Sequence, residues 1–97
     1  MKLEFEWDDA KEKINIKKHG LDFSTAALVF ADECRIEKFD EKHSVQEDRY
    51  IVIGEIGGQV AIITVVYTPR NDGNVIRLIS ARCATKDEKE EYYNGNY

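Results

Sequence analysis

Proline occurs once in the 97 residues, at Pro69, and there is no linker, internal repeat or low-complexity tract. A chain of this length without a break is expected to form a single domain over residues 1–97, folded round one core. Cysteine occurs twice, at Cys34 and Cys83, widely separated. One pair is too few for the disulfide scaffold of a small secreted domain, so a reducing cytoplasm is expected. Neither cysteine has metal-ligand spacing, and as a nucleophile either would need an activating neighbour that the sequence does not show. Long apolar runs are missing too: the longest, VAIITVVYT at 60–68, falls far short of the roughly 18 to 20 residues of a membrane helix. The opening MKLEFEWDD has no apolar h-region of the signal-peptide kind. Positive charge is also in deficit, with 14 Lys and Arg against 19 Asp and Glu, a net charge of −5. That argues against nucleic acid as a partner, since proteins that bind it are commonly basic.

The distribution of charge softens that exclusion. Residues 11–19 hold four lysines against one glutamate, and residues 70–86 hold four Lys or Arg against one aspartate, so each island is +3 while the remainder is −11. Affinity for RNA follows local phosphate contacts more than total charge, and an acidic remainder lowers indiscriminate binding.

The pattern of residues predicts an α+β domain. Leu3, Phe5 and Trp7 alternate with Lys2, Glu4 and Glu6, the period of a strand with one buried face. Asp8 or Asp9 can cap a following helix, Asp9 with Glu12 fits a variant capping box, and Gly20 ends it. Lys17, Lys18 and His19 fall in its last turn, where the helix dipole favours cations. Asp22 can cap a short second helix with Phe23, Ala26, Ala27 and Phe30 on one face. Strands are predicted near 34–39, 49–55, 60–68 and 75–82, with a Gly57-Gly58 turn and the turn-like stretch TPRNDGN, containing Pro69, joining the last three as antiparallel hairpins. The strand at 60–68 is apolar on both faces and is expected at the centre of the sheet. Thr85 and Glu88 form a capping box that opens a last helix reaching Tyr92 or Tyr93. The expected architecture is two N-terminal helices and one C-terminal helix packed on a twisted, mainly antiparallel sheet.

Several residues then match a known pattern in order and spacing: FEWD, Asn15, the KHG at Lys18 to Gly20, Phe23 with Ala26 and Val29-Phe30, and His43-Ser44 with Glu47 and Arg49. After them come VVYTPR ending at Arg70, IRLISAR with Arg77 and Arg82, and a Glu-rich helix with Tyr92. In these the chain resembles the BrnT-type toxins of the BrnT/BrnA toxin-antitoxin systems, whose fold is similar to the RelE group of small bacterial endoribonucleases. It departs from them at Cys83, at Lys86 to Lys89 and in the tail NGNY. The resemblance implies a ribonuclease toxin, RNA cleavage without a metal or other cofactor, and a BrnA-type antitoxin that covers the basic site and brings operator DNA to the complex.

Cleaving RNA through its own 2′-hydroxyl needs a base at that hydroxyl, an acid at the leaving oxygen and cations round the phosphate. Arginine suits the last role, because its planar guanidinium meets phosphate bidentately and stays charged. Arg70, Arg77 and Arg82 are therefore the candidates for clamping and transition-state stabilisation. Base and acid fall to His19, His43, or Tyr67 or Tyr92 with a lowered pKa, and the sequence does not choose among them. Of these, His19 and Tyr67 join the three arginines as catalytic candidates, and Lys17, Lys18, Arg49 and Tyr92 are the candidates for substrate binding. On a regular strand Arg77 and Arg82, an odd number of residues apart, point to opposite faces. Either a bulge near Ser80-Ala81 corrects this, or the strand ends and Arg82 reaches round from the turn before Thr85; the nearby capping box favours the second.

Two other classes compete. One is a non-catalytic module that binds a partner through its basic patch and serves as co-repressor with a DNA-binding antitoxin. The other is a metal-dependent hydrolase using Asp40, Glu47 and His43, disfavoured because no helical His pair or carboxylate spacing organises a metal.

Overall fold

The structure, a computed structural model, describes residues 3–57 and 61–95. Five strands form one sheet: β1 (Glu4–Glu6), β2 (Ile36–Phe39), β3 (Tyr50–Ile56), β4 (Ala61–Arg70) and β5 (Val75–Cys83), in the order β1-β5-β4-β3-β2. The pairs β2–β3, β3–β4 and β4–β5 are antiparallel and β1 runs parallel to β5, so the sheet is mainly antiparallel as expected. The apolar β4 is central. With the helices α1 (Asp9–His19), α2 (Phe23–Ala26) and α3 (Lys86–Asn94), the class is α+β.

Alternation along β4 builds two cores. Ile63, Val65 and Tyr67 face α2 and the 3-10 segment Ala27–Ala31 that continues it, packing with Phe23, Val29, Phe30, Val52, Ile76, Leu78 and Ala81. The predicted second helix is thus a single α turn that tightens into 3-10 geometry, with Ala27 only half buried and Val29 fully buried in its stead. Ile62 faces the other way and joins Ile53, Ala84 and Tyr92 beneath α3. Phe5 and Trp7 are half buried against the first core, Trp7 edge-on to Phe23, whereas Leu3 is exposed.

Glycine at position 54 lets the 3-10 segment come close to the sheet: a Cβ there would sit 2.8 Å from Val29 Cγ2. One carboxylate then ties this layer to the sheet edge. Asp32 accepts hydrogen bonds from the amides of Cys34 and Glu55 and from the Tyr92 hydroxyl, at 2.9, 2.8 and 2.6 Å.

Several local expectations need correction. Asp8 caps α1, accepting from the amides of Ala10 and Lys11, but the Asp9–Glu12 box does not form. Glu12 instead accepts the amide of Phe23 at 2.9 Å, satisfying a free donor at the start of α2. Gly20 ends α1 in the left-handed conformation (φ 70°), as the sequence suggests. Pro69 lies inside β4, opposite Ile76, and the turn is confined to Asn71–Gly73. Because β3 begins opposite Tyr67, β4 has a single ladder neighbour at Pro69, the setting in which a sheet tolerates proline. Gly57 is in a turn, while Gly58 falls outside the described residues.

Candidate active site

Directly opposed residues of an antiparallel pair share a face, and the pairs Thr64–Arg82, Val66–Ser80 and Thr68–Arg77 place these side chains with Arg70 on the face that carries α3. The ladder slips by one residue between Val66 and Tyr67, whose partners are Ser80 and Leu78, leaving Ile79 as the extra residue of a bulge. The bulge cancels the odd spacing, so Arg77 and Arg82 point the same way. β5 does not end before Arg82, as favoured above; it runs on to Cys83.

α3 covers the end of this face near Ile53 and Ile62. At the other end, Arg77 donates to Glu6 at 2.9 Å, and Arg70 lies 3.5 Å from Glu6 and 3.5 Å from Glu47. Glu47 also lies 3.7 Å from Arg49. Three guanidiniums therefore share two carboxylates in a chain Arg49–Glu47–Arg70–Glu6–Arg77, leaving one cation in excess. All five side chains keep substantial exposure, so each pair adds at most about 1 kcal/mol to stability. Thr68 backs the cluster from within, buried and donating to the carbonyl of Asp48 at 2.6 Å.

Arg82 is held differently. It makes a bidentate pair with Glu88, at 2.7 and 3.0 Å, and Glu88 also accepts from Thr64 and from the amide of Thr85. The Arg82 hydrogen bond, outweighing burial, draws the Glu88 carboxyl down to about 2, and Glu88 in turn raises the Arg82 pKa. The Thr85–Glu88 capping box is present, so this arginine anchors the start of α3.

The tyrosines do not fit the role of base. Tyr67 is on the opposite face, stacked on Tyr50 and donating to Glu37 at 2.6 Å. Tyr92 is buried under α3 and donates to Asp32. Burial first, and the carboxylate second, push both phenols up, the reverse of the lowered pKa that a tyrosine base requires.

His19, with Lys17 and Lys18, is exposed at the end of α1. His19 and Lys18 line a groove of about 180 Å3 with Lys11, Ile14, Ile79 and Ser80, so the bulge opens beside the first basic island. No hydrogen bond or ion pair among the described residues joins His19 to the arginines.

His43 sits in a short 3-10 turn, Glu41–His43, in the loop before β3. Its Nδ1 is 2.9 Å from Asp40 Oδ2 and 3.2 Å from Oδ1. A hollow of about 260 Å3 lies between His43, Glu47 and Arg49. Glu6 and Asp40 are the members of this region that sequence reasoning did not place: Glu6 is 71 positions from Arg77, and Asp40, named only in the disfavoured metal-hydrolase alternative, meets the ring of His43. No group of three His, Cys, Asp or Glu side chains among the described residues is arranged to hold a metal ion.

The profile of a family described as the ribonuclease toxin BrnT of type II toxin-antitoxin systems matches residues 7–88. The chain belongs to the BrnT family. The matched span runs from Trp7 through Glu88 and so takes in the arginines of the cluster, though not Glu6, with the Asp40–His43 pair and the anchor of α3. Membership indicates a ribonuclease toxin with an antitoxin as its partner. No curated relative matches the chain, and no helix among the described residues is long and apolar enough to cross a membrane.

Proposed function

We propose that the chain is a cytoplasmic endoribonuclease toxin that cleaves RNA without a metal, by transesterification through the 2′-hydroxyl, and is neutralised by a BrnA-type antitoxin. The observation that carries the reading is the register of the β4–β5 hairpin, which sets Arg77 opposite Thr68 and so on the same face as Arg70, at the end α3 leaves open and beside Arg49. A phosphate entering there replaces Glu6 and Glu47 as partner of these guanidiniums and gains bidentate, charge-assisted hydrogen bonds. The same groups then stabilise the charge that builds on the phosphorane oxygens. Lys17, Lys18 and His19 extend the contact along the strand, and Arg82 keeps α3 clear of it. The antitoxin covers this face and supplies the link to operator DNA.

One observation favours a second reading, a non-catalytic module acting as co-repressor: each arginine of the cluster already has a carboxylate partner, as in a docking patch. Inducible expression in a bacterial host without antitoxin separates the two. Growth arrest with RNA breakdown, lost in Arg70→Ala, Arg77→Ala, supports the nuclease. Normal growth and intact RNA at verified soluble expression support the module.

A further inference from the structure

We propose that His43, positioned by Asp40, is the proton-transfer residue of RNA cleavage; this rests on the ribonuclease reading above. The loop that carries His43 is closed at its base by three bonds. The Asp40 amide donates to the Arg49 carbonyl at 2.8 Å, the Ser44 hydroxyl donates to the Asp40 carbonyl at 2.6 Å, and the Arg49 amide donates back to Ser44 Oγ at 2.9 Å. These bonds hold Asp40, His43 and Arg49 in one frame.

Within it the Asp40 side chain is 12% exposed and the His43 side chain 65%. An ionised carboxylate only accepts hydrogen bonds, so in the neutral ring, the form that acts as a base, Nδ1–H faces Asp40 and Nε2 keeps its lone pair. Nε2 has no hydrogen-bond partner among the described residues. A carboxylate that fixes the ring and its tautomer, with the far nitrogen open, is the arrangement of an imidazole base. His19, the other histidine, has no such carboxylate among the described residues, and the two buried phenols hold their protons too firmly. The hollow beside His43 places Arg49 and Glu47 next to it, and Glu47 continues to Arg70. Arg49 Nε is shielded from solvent without a hydrogen-bond partner, a donor that Glu47 leaves unmatched. Among the described residues, charged groups near His43 include Asp40, its turn neighbours Glu41 and Lys42, and Glu47 and Arg49 across the hollow.

The step balances as follows. Nε2 takes the proton of the 2′-hydroxyl, the O2′–P bond forms, and the P–O5′ bond breaks. The leaving O5′ takes a proton from water, and the imidazolium returns its own to solvent. The products are a 2′,3′-cyclic phosphate and a free 5′-hydroxyl, with Arg49 and Arg70 holding the phosphate oxygens.

The test uses the purified full chain and a short single-stranded RNA, following cleavage rate, RNA affinity and the chemistry of the new ends. His43→Ala should lower kcat by about 10²- to 10⁴-fold with RNA affinity retained, and added imidazole should restore part of the rate. Asp40→Asn should lower kcat while KM holds, a split that mere loosening of the loop does not produce. Wild-type rates in a folded His43→Ala protein, with cleavage still abolished in Arg70→Ala, Arg77→Ala, overturn the assignment and leave the nuclease standing. A wild-type chain that binds RNA and never cuts it overturns both.

Discussion

The side chain of Asn15 and the backbone of Ala81 exchange two hydrogen bonds, Nδ2 to the carbonyl at 2.9 Å and the amide to Oδ1 at 3.0 Å. Asn15 thus does for the outer edge of β5, beyond the short β1, what another strand would do. It is the one buried residue of α1, and it also donates to the Leu21 carbonyl at 2.8 Å. Replacing it with alanine strands these backbone groups, each worth about 1–3 kcal/mol if left unsatisfied. Asn15→Ala is expected to destabilise the chain by about 2–4 kcal/mol, seen in urea denaturation as a lower midpoint at unchanged slope.

Acid should act through Glu88. Its carboxyl is held down to about 2, against an ordinary 4.5, chiefly by Arg82. A depressed carboxyl contributes stability above its unfolded value and loses it as pH falls through the folded one. Stability should therefore decline between about pH 4.5 and about 2, and Glu88→Gln should flatten that decline in circular dichroism titrations. Asp22 and Asp32, also lowered, add to the same slope. Tyr67 and Tyr92 act with the opposite sign: their stability is complete below the ordinary phenol value of 10.0 and drains away as alkali rises beyond it.

Gly54 should not accept alanine. The added carbon would lie 2.8 Å from Val29 Cγ2, 3.1 Å from Asp32 Oδ2 and 3.2 Å from Arg35 Cβ, in a layer with little room to yield. A cost of about 1–3 kcal/mol is expected from overpacking, read as a lower Tm in calorimetry.

Glu6 neutralised should help RNA rather than harm the fold. In Glu6→Gln the guanidiniums of Arg70 and Arg77 lose a competitor, so RNA binding should tighten several-fold and depend more steeply on salt. Arg77→Ala should do the reverse, reducing the salt slope by about 1. Filter binding across a salt series distinguishes these outcomes; equal slopes for wild type and Arg77→Ala would place the RNA elsewhere.

What the sequence made legible was local or periodic. The central place of β4 follows from its apolar residues on both faces, and the caps at Asp8, Asp22 and Thr85 follow from side chains two or three positions from the amides they meet. The family pattern likewise rests on order and spacing. What stayed hidden depended on partners distant in the chain. Glu12 left its expected box for an amide on the next helix. The phenols of Tyr67 and Tyr92 took their character from burial first and then from Glu37 and Asp32, 30 and 60 positions away. The bulge that aligns Arg77 with Arg82 is a property of two strands in register, and neither strand alone announces it. The contact between Asp40 and the ring of His43, on which the proposal of His43 over His19 rests, is likewise a matter of side-chain orientation that the sequence does not state.

Asp32, finally, couples elements that the sheet would otherwise keep apart. The Tyr92 hydroxyl reaches past the free edge of β3 to a residue of the opposite layer, and the same carboxylate takes the Glu55 amide where β2 no longer runs alongside. Undocking α3 therefore strips a bond from the turn after the 3-10 segment, and loosening that turn leaves a buried phenol without its acceptor. α3 and the 3-10 segment with its turn should open as a single cooperative unit, their amides exchanging hydrogen at a common rate, while the β4–β5 ladder stays closed for longer.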